Sequence, residues 1–306
     1  MQWFFIALGA PFLWAIVNIA DHYLISRYTR KEKEQSSGGL VIFSSIIGIF
    51  IAFLIWFCVS GIFDIPTFDK LLLLLAGSLT VVWIILYLFA LEIENVSSVV
   101  PWFLAVPVFG YILGDIFLGE TLTFNQIVGS IIIFLGLILI SINFSGEKKN
   151  LNVKLMFYML FACLIIAISG IIFKYVTVEN NFWISSFWEY LGLGITGLFI
   201  YLFIPKHRAE FIEMNRTGGR KIFLVNVVSE LMSISGNLLT NFALLLAPVT
   251  MVFLVSSFQP AIVLILTILG TKFFPNIAKE NLTKHILLPK IIAIVIMVFG
   301  SVILFL

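Results

Sequence analysis

Seven polar side chains recur at helical spacing in segment 222–246, which is otherwise apolar. An α-helix turns about 100° per residue, so all seven fall within about 60° of one line along the helix. A stripe that includes an ionisable carboxyl is costly to expose to an apolar solvent. The stripe therefore favours the wall of a polar cavity, with hydrogen bonding between packed helices as the alternative. The residues are Asn226, Ser229, Glu230, Ser233, Asn237, Thr240 and Asn241.

A second polar face lies in the first apolar segment, where Trp14, Asn18 and Asp21 share one side of a predicted helix. This face could also line a cavity. The alternative is that Asp21 lies about one turn from the end of the segment and is simply hydrated. Glu189 repeats the pattern in segment 183–204.

Aromatic side chains accompany these polar faces. Trp83 and Tyr87 lie on one side of segment 71–91, together with Thr80. Such rings can stack on a ligand, but they more often pack the core or form an interfacial belt. We include Trp83 and Tyr87 among the candidate binding residues.

Three prolines interrupt otherwise helical segments, and we expect them to kink those helices. Pro101 and Pro107 lie in segment 99–118, and Pro260 lies in segment 250–271. Proline lacks the amide hydrogen that continues an α-helix. The kinks could widen a cavity or serve as hinges.

The composition explains why these polar groups must be enclosed. Hydrophobic residues make up 61% of the 306-residue chain, and charged residues only 11%. A globular protein of this size cannot bury that much apolar surface in its own interior. The chain is therefore expected to be a multi-pass membrane protein of a bacterial inner or cell membrane. With 18 basic and 16 acidic residues it has no strong field that would recruit nucleic acid.

A bilayer core about 30 Å thick requires about 20 apolar residues for each spanning helix. Runs of that length predict an all-α protein with ten transmembrane helices and short connections. The longest connections are 26–39, 205–221 and 272–287. The runs are 3–25, 40–63, 71–91, 99–118, 124–143, 155–176, 183–204, 222–246, 250–271 and 288–306.

Basic residues are distributed unequally between the connections. All of the 18 lysine and arginine residues except Lys70 and Lys174 lie in the odd-numbered connections or at their edges. Because cytoplasmic loops are enriched in basic residues, this distribution predicts that both termini are outside the cytoplasm.

An internal repeat appears at an offset of 153 residues. Pro107 corresponds to Pro260, and Val96 corresponds to Val249. The repeat divides the chain into five-helix units at 1–146 and 151–306. An odd number of helices per unit means that the second unit enters the membrane inverted, as in many secondary transporters.

Several motifs are similar to one known family. They comprise Pro101-Trp102-Phe103-Leu104-Ala105-Val106-Pro107, Gly119-Glu120-Thr121-Leu122-Thr123, Gln126, Gly129 and Gly136, together with Gly9, Trp14 and Asn18 in the first helix. These motifs resemble the EamA-type drug/metabolite transporter superfamily, in its ten-helix branch. The second unit departs from the pattern, since an insertion at 272–288 separates Pro260 from Gly300.

The resemblance implies a central cavity lined by the first, third, fourth, sixth, eighth and ninth helices. It also implies transport of metabolites, amino acids or drugs, often outward, and cytoplasmic termini, in contrast to the charge distribution.

The leading hypothesis is a secondary transporter that moves a small metabolite, amino acid or drug-like molecule by alternating access, with export as the expected direction. Proton coupling through Glu230 would be possible because leaving water penalises a charged carboxyl. The alternative is a membrane-embedded enzyme or a sensory scaffold. No nucleotide-binding loop or metal-ligand motif is present in the sequence, so we expect no ATP-driven pump, cofactor or metal.

Overall fold

The apolar runs form long α-helices because a backbone surrounded by lipid must satisfy its own hydrogen bonds. The computed structural model describes residues 2–28, 38–119, 123–143, 150–273 and 283–305. Within these ranges, nine helical segments are long and apolar enough to cross a membrane. The predicted all-α, multi-span fold class is confirmed.

The first half of the chain contains six α-helices, and a 3-10 segment, Val100–Ala105, joins the fourth to the fifth. Together these three elements form one candidate span, Val96–Leu118. The helices are α1 (Gln2–Tyr28), α2 (Gly38–Cys58), α3 (Thr67–Ile93), α4 (Val96–Val99), α5 (Val106–Leu118) and α6 (Phe124–Ser141).

A two-residue hairpin separates the halves, with β1 (Ile142–Asn143) antiparallel to β2 (Asn150–Leu151). The second half again has a 3-10 segment, Ser256–Phe258, inside one span. Its helices are α7 (Val153–Thr177), α8 (Phe182–Phe203), α9 (Pro205–Leu246), α10 (Val249–Val255), α11 (Gln259–Phe273) and α12 (Lys284–Phe305).

Side-chain caps fix where two of the spans begin. The side-chain oxygen of Asn152 accepts a hydrogen bond from the Leu155 amide at 3.1 Å, at the start of α7. Asn181 does the same for the Trp183 amide at 2.9 Å, at the start of α8. Each cap satisfies an amide that the first helical turn leaves without a partner.

The predicted number of ten spanning helices is not confirmed. The helix α6 has 18 residues, and within it the apolar stretch Ile127–Gly136 is shorter than the nine candidate spans of the described residues. It corresponds to the predicted run 124–143, so the count of ten stays a prediction.

The segment 205–221, which the sequence interpretation treats as a connection, is helical instead. It forms the first part of α9, and Gly219 interrupts the helix with φ 63° and ψ −177°. A positive φ suits glycine because it has no Cβ. No apolar run marks this part of the chain, because it is rich in charged residues, which suit a surface helix.

The three prolines lie where the spans change helix type. Pro101 is in the 3-10 segment Val100–Ala105, and Pro107 and Pro260 are the second residues of α5 and α11. A missing amide donor is tolerated in the first turn of a helix. The irregularities occur at the predicted positions, whereas a hinge role for these prolines stays a prediction.

Helices of the first half pack mainly on helices of the second half. The helix α1 packs on α9, and α3 packs on α7; α2 packs on α8, and α6 packs on α12. Each contact therefore has a counterpart when the two halves are exchanged. This reciprocity fits an inverted repeat, although the division at 1–146 and 151–306 stays a prediction.

Two glycines bring α3 and α8 into backbone contact. A Cβ on Gly192 would lie 2.7 Å from the Cα of Leu74, and one on Gly77 would lie 2.9 Å from the carbonyl carbon of Glu189. Only glycine allows this approach. The contact places Glu189 of α8 beside α3 and so beside the cavity described below.

Candidate functional site

A large cavity lies between the two halves of the helix bundle. It contains about 1420 Å³ of empty space, including the part that opens to the outside. Its walls come from α1, α2, α3, α7, α8 and α9 and from both interrupted spans. The resemblance implied six of these helices. The structure adds α2 and α8, which correspond to the predicted runs 40–63 and 183–204.

Ten of the predicted binding residues line this one cavity, although they come from four different helices. Their role in binding a substrate stays a prediction. The ten residues are Trp14, Asn18, Asp21, Trp83, Tyr87, Glu189, Glu230, Ser233, Asn237 and Asn241.

Two predicted residues of the α9 stripe, Asn226 and Ser229, are not part of this wall, which corrects the sequence interpretation. Both are buried, with 3% and 5% of their surface exposed. The amide nitrogen of Asn226 lies 3.8 Å from the sulfur of Met214, which precedes the interruption in α9. Because the chain folds back over this end of the stripe, the polar side chains there meet protein instead of the cavity.

Two of the cavity carboxyls have close hydrogen-bond donors. The side-chain amide of Asn241 donates to Glu189 at 2.8 Å. The hydroxyl of Ser44 donates to Glu230. Hydrogen bonds to ionisable groups are stronger than those between neutral groups, so these contacts hold both carboxyls in place.

The third cavity carboxyl, Asp21, has a more distant hydrogen-bond donor than Glu189 and Glu230. The Tyr87 hydroxyl lies 2.8 Å from the side-chain oxygen of Asn18 and 3.5 Å from a carboxyl oxygen of Asp21. A phenol has one hydrogen to donate, and the shorter contact to Asn18 is the stronger. Asp21 therefore keeps most of its capacity to accept hydrogen bonds from a ligand.

Asn18 also has a hydrogen-bond donor that a ligand could use. It is 5% exposed, and its side-chain nitrogen has no hydrogen-bond partner within the described part of the chain. A buried donor without a partner is costly, so this nitrogen is available to a ligand in the cavity.

The electrostatic character of the cavity is acidic. Asp21, Glu189 and Glu230 line it, and its described lining contains no lysine, arginine or histidine. As far as the described residues go, no group of three potential ligands could hold a metal ion. The arrangement suits a positively charged organic group or a proton.

Residues 1–142 match the EamA-like transporter family. The match confirms the resemblance that the motifs of the first half indicate. The EamA-like match, together with the apolar helices, confirms a multi-pass membrane protein.

The whole chain, not only its EamA-like half, has a known fold. It superimposes on a solved structure described as the crystal structure of a protein, with a TM-score of 0.62. The two sequences are 13% identical, and the superposition covers 99% of this chain and 96% of that chain. At this identity the similarity concerns the fold alone. No curated protein sequence matches the chain.

Several cavity residues were missed by the sequence interpretation. Ser44 and Gln259 are polar residues within apolar runs, a signal that a search for isolated polar groups would have found. Tyr190 follows Glu189 directly and was not singled out. Phe103 belongs to the motif at 101–107, but it was not singled out there as a binding residue.

Two serines on α9 allow the cavity to be tested for water access. Ser233 lines the cavity, whereas Ser235 is exposed on the outer surface of the bundle. We expect Ser233→Cys to react with a cationic, membrane-impermeant methanethiosulfonate reagent, because water fills a polar cavity. The matched Ser235→Cys is expected to stay unlabelled in lipid. Both are measured in a Cys58→Ser, Cys163→Ala background, and equal labelling of the two cysteines would contradict the assignment.

Proposed function

We propose that the protein is a secondary transporter that moves a small organic molecule through the central cavity by alternating access. The observation that supports this most directly is the cavity itself, which places polar and acidic side chains from both halves within a membrane-spanning bundle. The EamA-like match of residues 1–142 supports transport as the activity. As the resemblance implies, we take export as the direction.

The reciprocal packing of the halves supports the alternating mechanism. If the two five-helix units are inverted copies, each packing contact has an equivalent at the opposite side of the membrane. Rocking one unit against the other would then close one mouth of the cavity while it opens the other.

Phe253 lies where such a movement would act. It lines the cavity from α10, and its ring fits against two glycines in other helices. A Cβ on Gly110 of α5 would lie 2.6 Å from the ring, and one on Gly170 of α7 would lie 2.7 Å from it. The ring thus fills a slot between helices of both units, and we propose that it leaves this slot when the cavity opens.

Transport can be tested without knowing the substrate. Liposomes that contain the purified protein are loaded with a mixture of amines, amino acids and nucleosides, and the release of each compound is followed by mass spectrometry. We expect at least one compound to leave these liposomes faster than protein-free ones. Ser233→Trp, which fills the cavity, is expected to reduce release to the protein-free level. Ser235→Trp on the outer surface serves as the matched control and is expected to retain release.

The same measurement separates the alternatives. A compound that is chemically changed but not moved would indicate a membrane-embedded enzyme. Equal release from the wild-type protein and Ser233→Trp would contradict passage through this cavity.

We propose further that transport is coupled to protons through Glu230. The carboxyl lines the cavity and accepts a hydrogen bond from Ser44, while Asp21, Glu189, Tyr87 and Tyr190 are the other titratable groups in the wall. Such a group could exchange a proton between the two mouths while the substrate competes for the same cavity, and this competition would couple their movements.

Glu230→Gln tests this coupling, because glutamine keeps the shape and the hydrogen bonding but cannot titrate. We expect the variant to exchange substrate across the membrane and to lose accumulation driven by a pH gradient. The exposed Glu179→Gln is the matched control and is expected to behave as wild type. Unchanged pH-driven accumulation would remove Glu230 from the mechanism, and loss of substrate binding would indicate that Glu230 pairs with a cation instead.

A further inference from the structure

Three aromatic rings pack against one another in the wall of the cavity. The ring centroids of Trp83 and Tyr87 are 6.4 Å apart, those of Trp83 and Phe103 are 6.3 Å apart, and those of Tyr87 and Phe103 are 5.6 Å apart. All three residues line the cavity, from α3 and from the 3-10 segment of the fourth span. We call these three residues the aromatic wall. The hydrogen bond from the Tyr87 hydroxyl to the side-chain oxygen of Asn18 holds the Tyr87 ring in a fixed orientation.

Asp21 lies directly beside the aromatic wall, because the Tyr87 hydroxyl is 3.5 Å from its carboxyl oxygen. Of the three cavity carboxyls it differs in its contacts. Glu189 and Glu230 each have a close donor, whereas the contact recorded for Asp21 among the described residues is this long one. Asp21 is thus the carboxyl with the most capacity left for a ligand.

A carboxylate next to aromatic faces is the combination that binds organic ammonium groups. The negative face of an aromatic ring attracts a cation, and the attraction increases when water is excluded. The carboxylate supplies the opposite charge, and in a site of low dielectric this charge acts strongly.

The remaining charges of the cavity narrow the substrate class. The described lining contains no basic side chain, so the carboxylate of an anion or of an amino acid would lack a cationic partner. The resemblance left metabolites, amino acids and drugs as alternatives, and the charges of the lining favour the cationic compounds among them.

We propose that Asp21 and the aromatic wall form a subsite for the ammonium group of an amphipathic organic cation. This subsite rests on the proposed transport function and names its substrate class. The rest of the substrate then extends into the apolar part of the cavity.

The proposal can be tested with a set of ligands that share a phenyl ring and differ in charge. Binding to the purified protein in lipid nanodiscs is measured by titration calorimetry at neutral pH. The set comprises trimethylphenethylammonium and phenethylamine as cations, phenethyl alcohol as the neutral member, phenylalanine as the zwitterion and hydrocinnamate as the anion. We expect the two cations to bind and the other three to bind at least about tenfold more weakly.

Variants locate the site. Asp21→Asn is expected to weaken binding of both cations about tenfold or more, since it removes the charge and keeps the shape. Phe103→Leu keeps an apolar side chain and is expected to weaken trimethylphenethylammonium about threefold to tenfold, through loss of the aromatic face. Asp64→Asn, in an exposed loop, removes the same charge outside the cavity and is the matched control.

Each result decides one point. Equal binding of neutral, zwitterionic or anionic members, or binding of no member, would overturn the cation proposal. Unchanged cation binding in both Asp21→Asn and Phe103→Leu would overturn the location of the subsite. Cations that bind at Asp21 but are not moved in the liposome assay would leave the subsite standing and contradict the transport function instead.

Discussion

The cost of placing a charged or polar group in a lipid environment governs the arrangement of this protein. Of the acidic residues on the candidate spans, Asp21, Glu189 and Glu230 line the internal cavity. Asp69, Glu92 and Asp115 lie within a few turns of a span end and are not part of its lining. The apolar residues of the same helices face outward, as Phe199 on α8 and Leu231 on α9 illustrate. Helices of opposite halves must pack together to enclose the cavity carboxyls, so the cavity and the fold form together.

Close packing and an open cavity coexist because they occupy different positions along the same helices. At Gly77 and Gly192, α3 and α8 approach to backbone contact. About two to three turns further along α3, the side chains of Trp83 and Tyr87 form part of the cavity wall. Small residues thus bring the helices together where rigidity is needed, and large residues leave a space between them where a ligand is to bind.

Much of this arrangement could be predicted from sequence, because lipid imposes a simple rule. Apolar runs of sufficient length must be helices, and an ionisable group within a run must turn inward. Asp21, Glu189 and Glu230 were singled out on that ground, and all three line the cavity. Trp83 and Tyr87 were singled out because they share a face with Thr80, and both line the cavity as well. Their role in binding a substrate stays a prediction.

Other features depend on tertiary contacts that no local pattern records. Asn226 and Ser229 lie on the polar stripe of α9, but the charged helical segment before Gly219 folds back and covers that end. Phe103 belongs to the aromatic wall only because the 3-10 segment of its span brings it to α3. The helicity of 205–218 was missed because a charged surface helix has no continuous apolar run.

The central claim is that a positively charged organic molecule binds inside the bundle, between Asp21 and the aromatic wall. A cryo-electron microscopy map of the purified protein saturated with trimethylphenethylammonium tests it most directly. The account predicts density for the ammonium group between the Asp21 carboxyl and the rings of Trp83, Tyr87 and Phe103. Density for the ligand at Glu189 and Asn241 instead, or only on the lipid-facing surface of the helices, would contradict it.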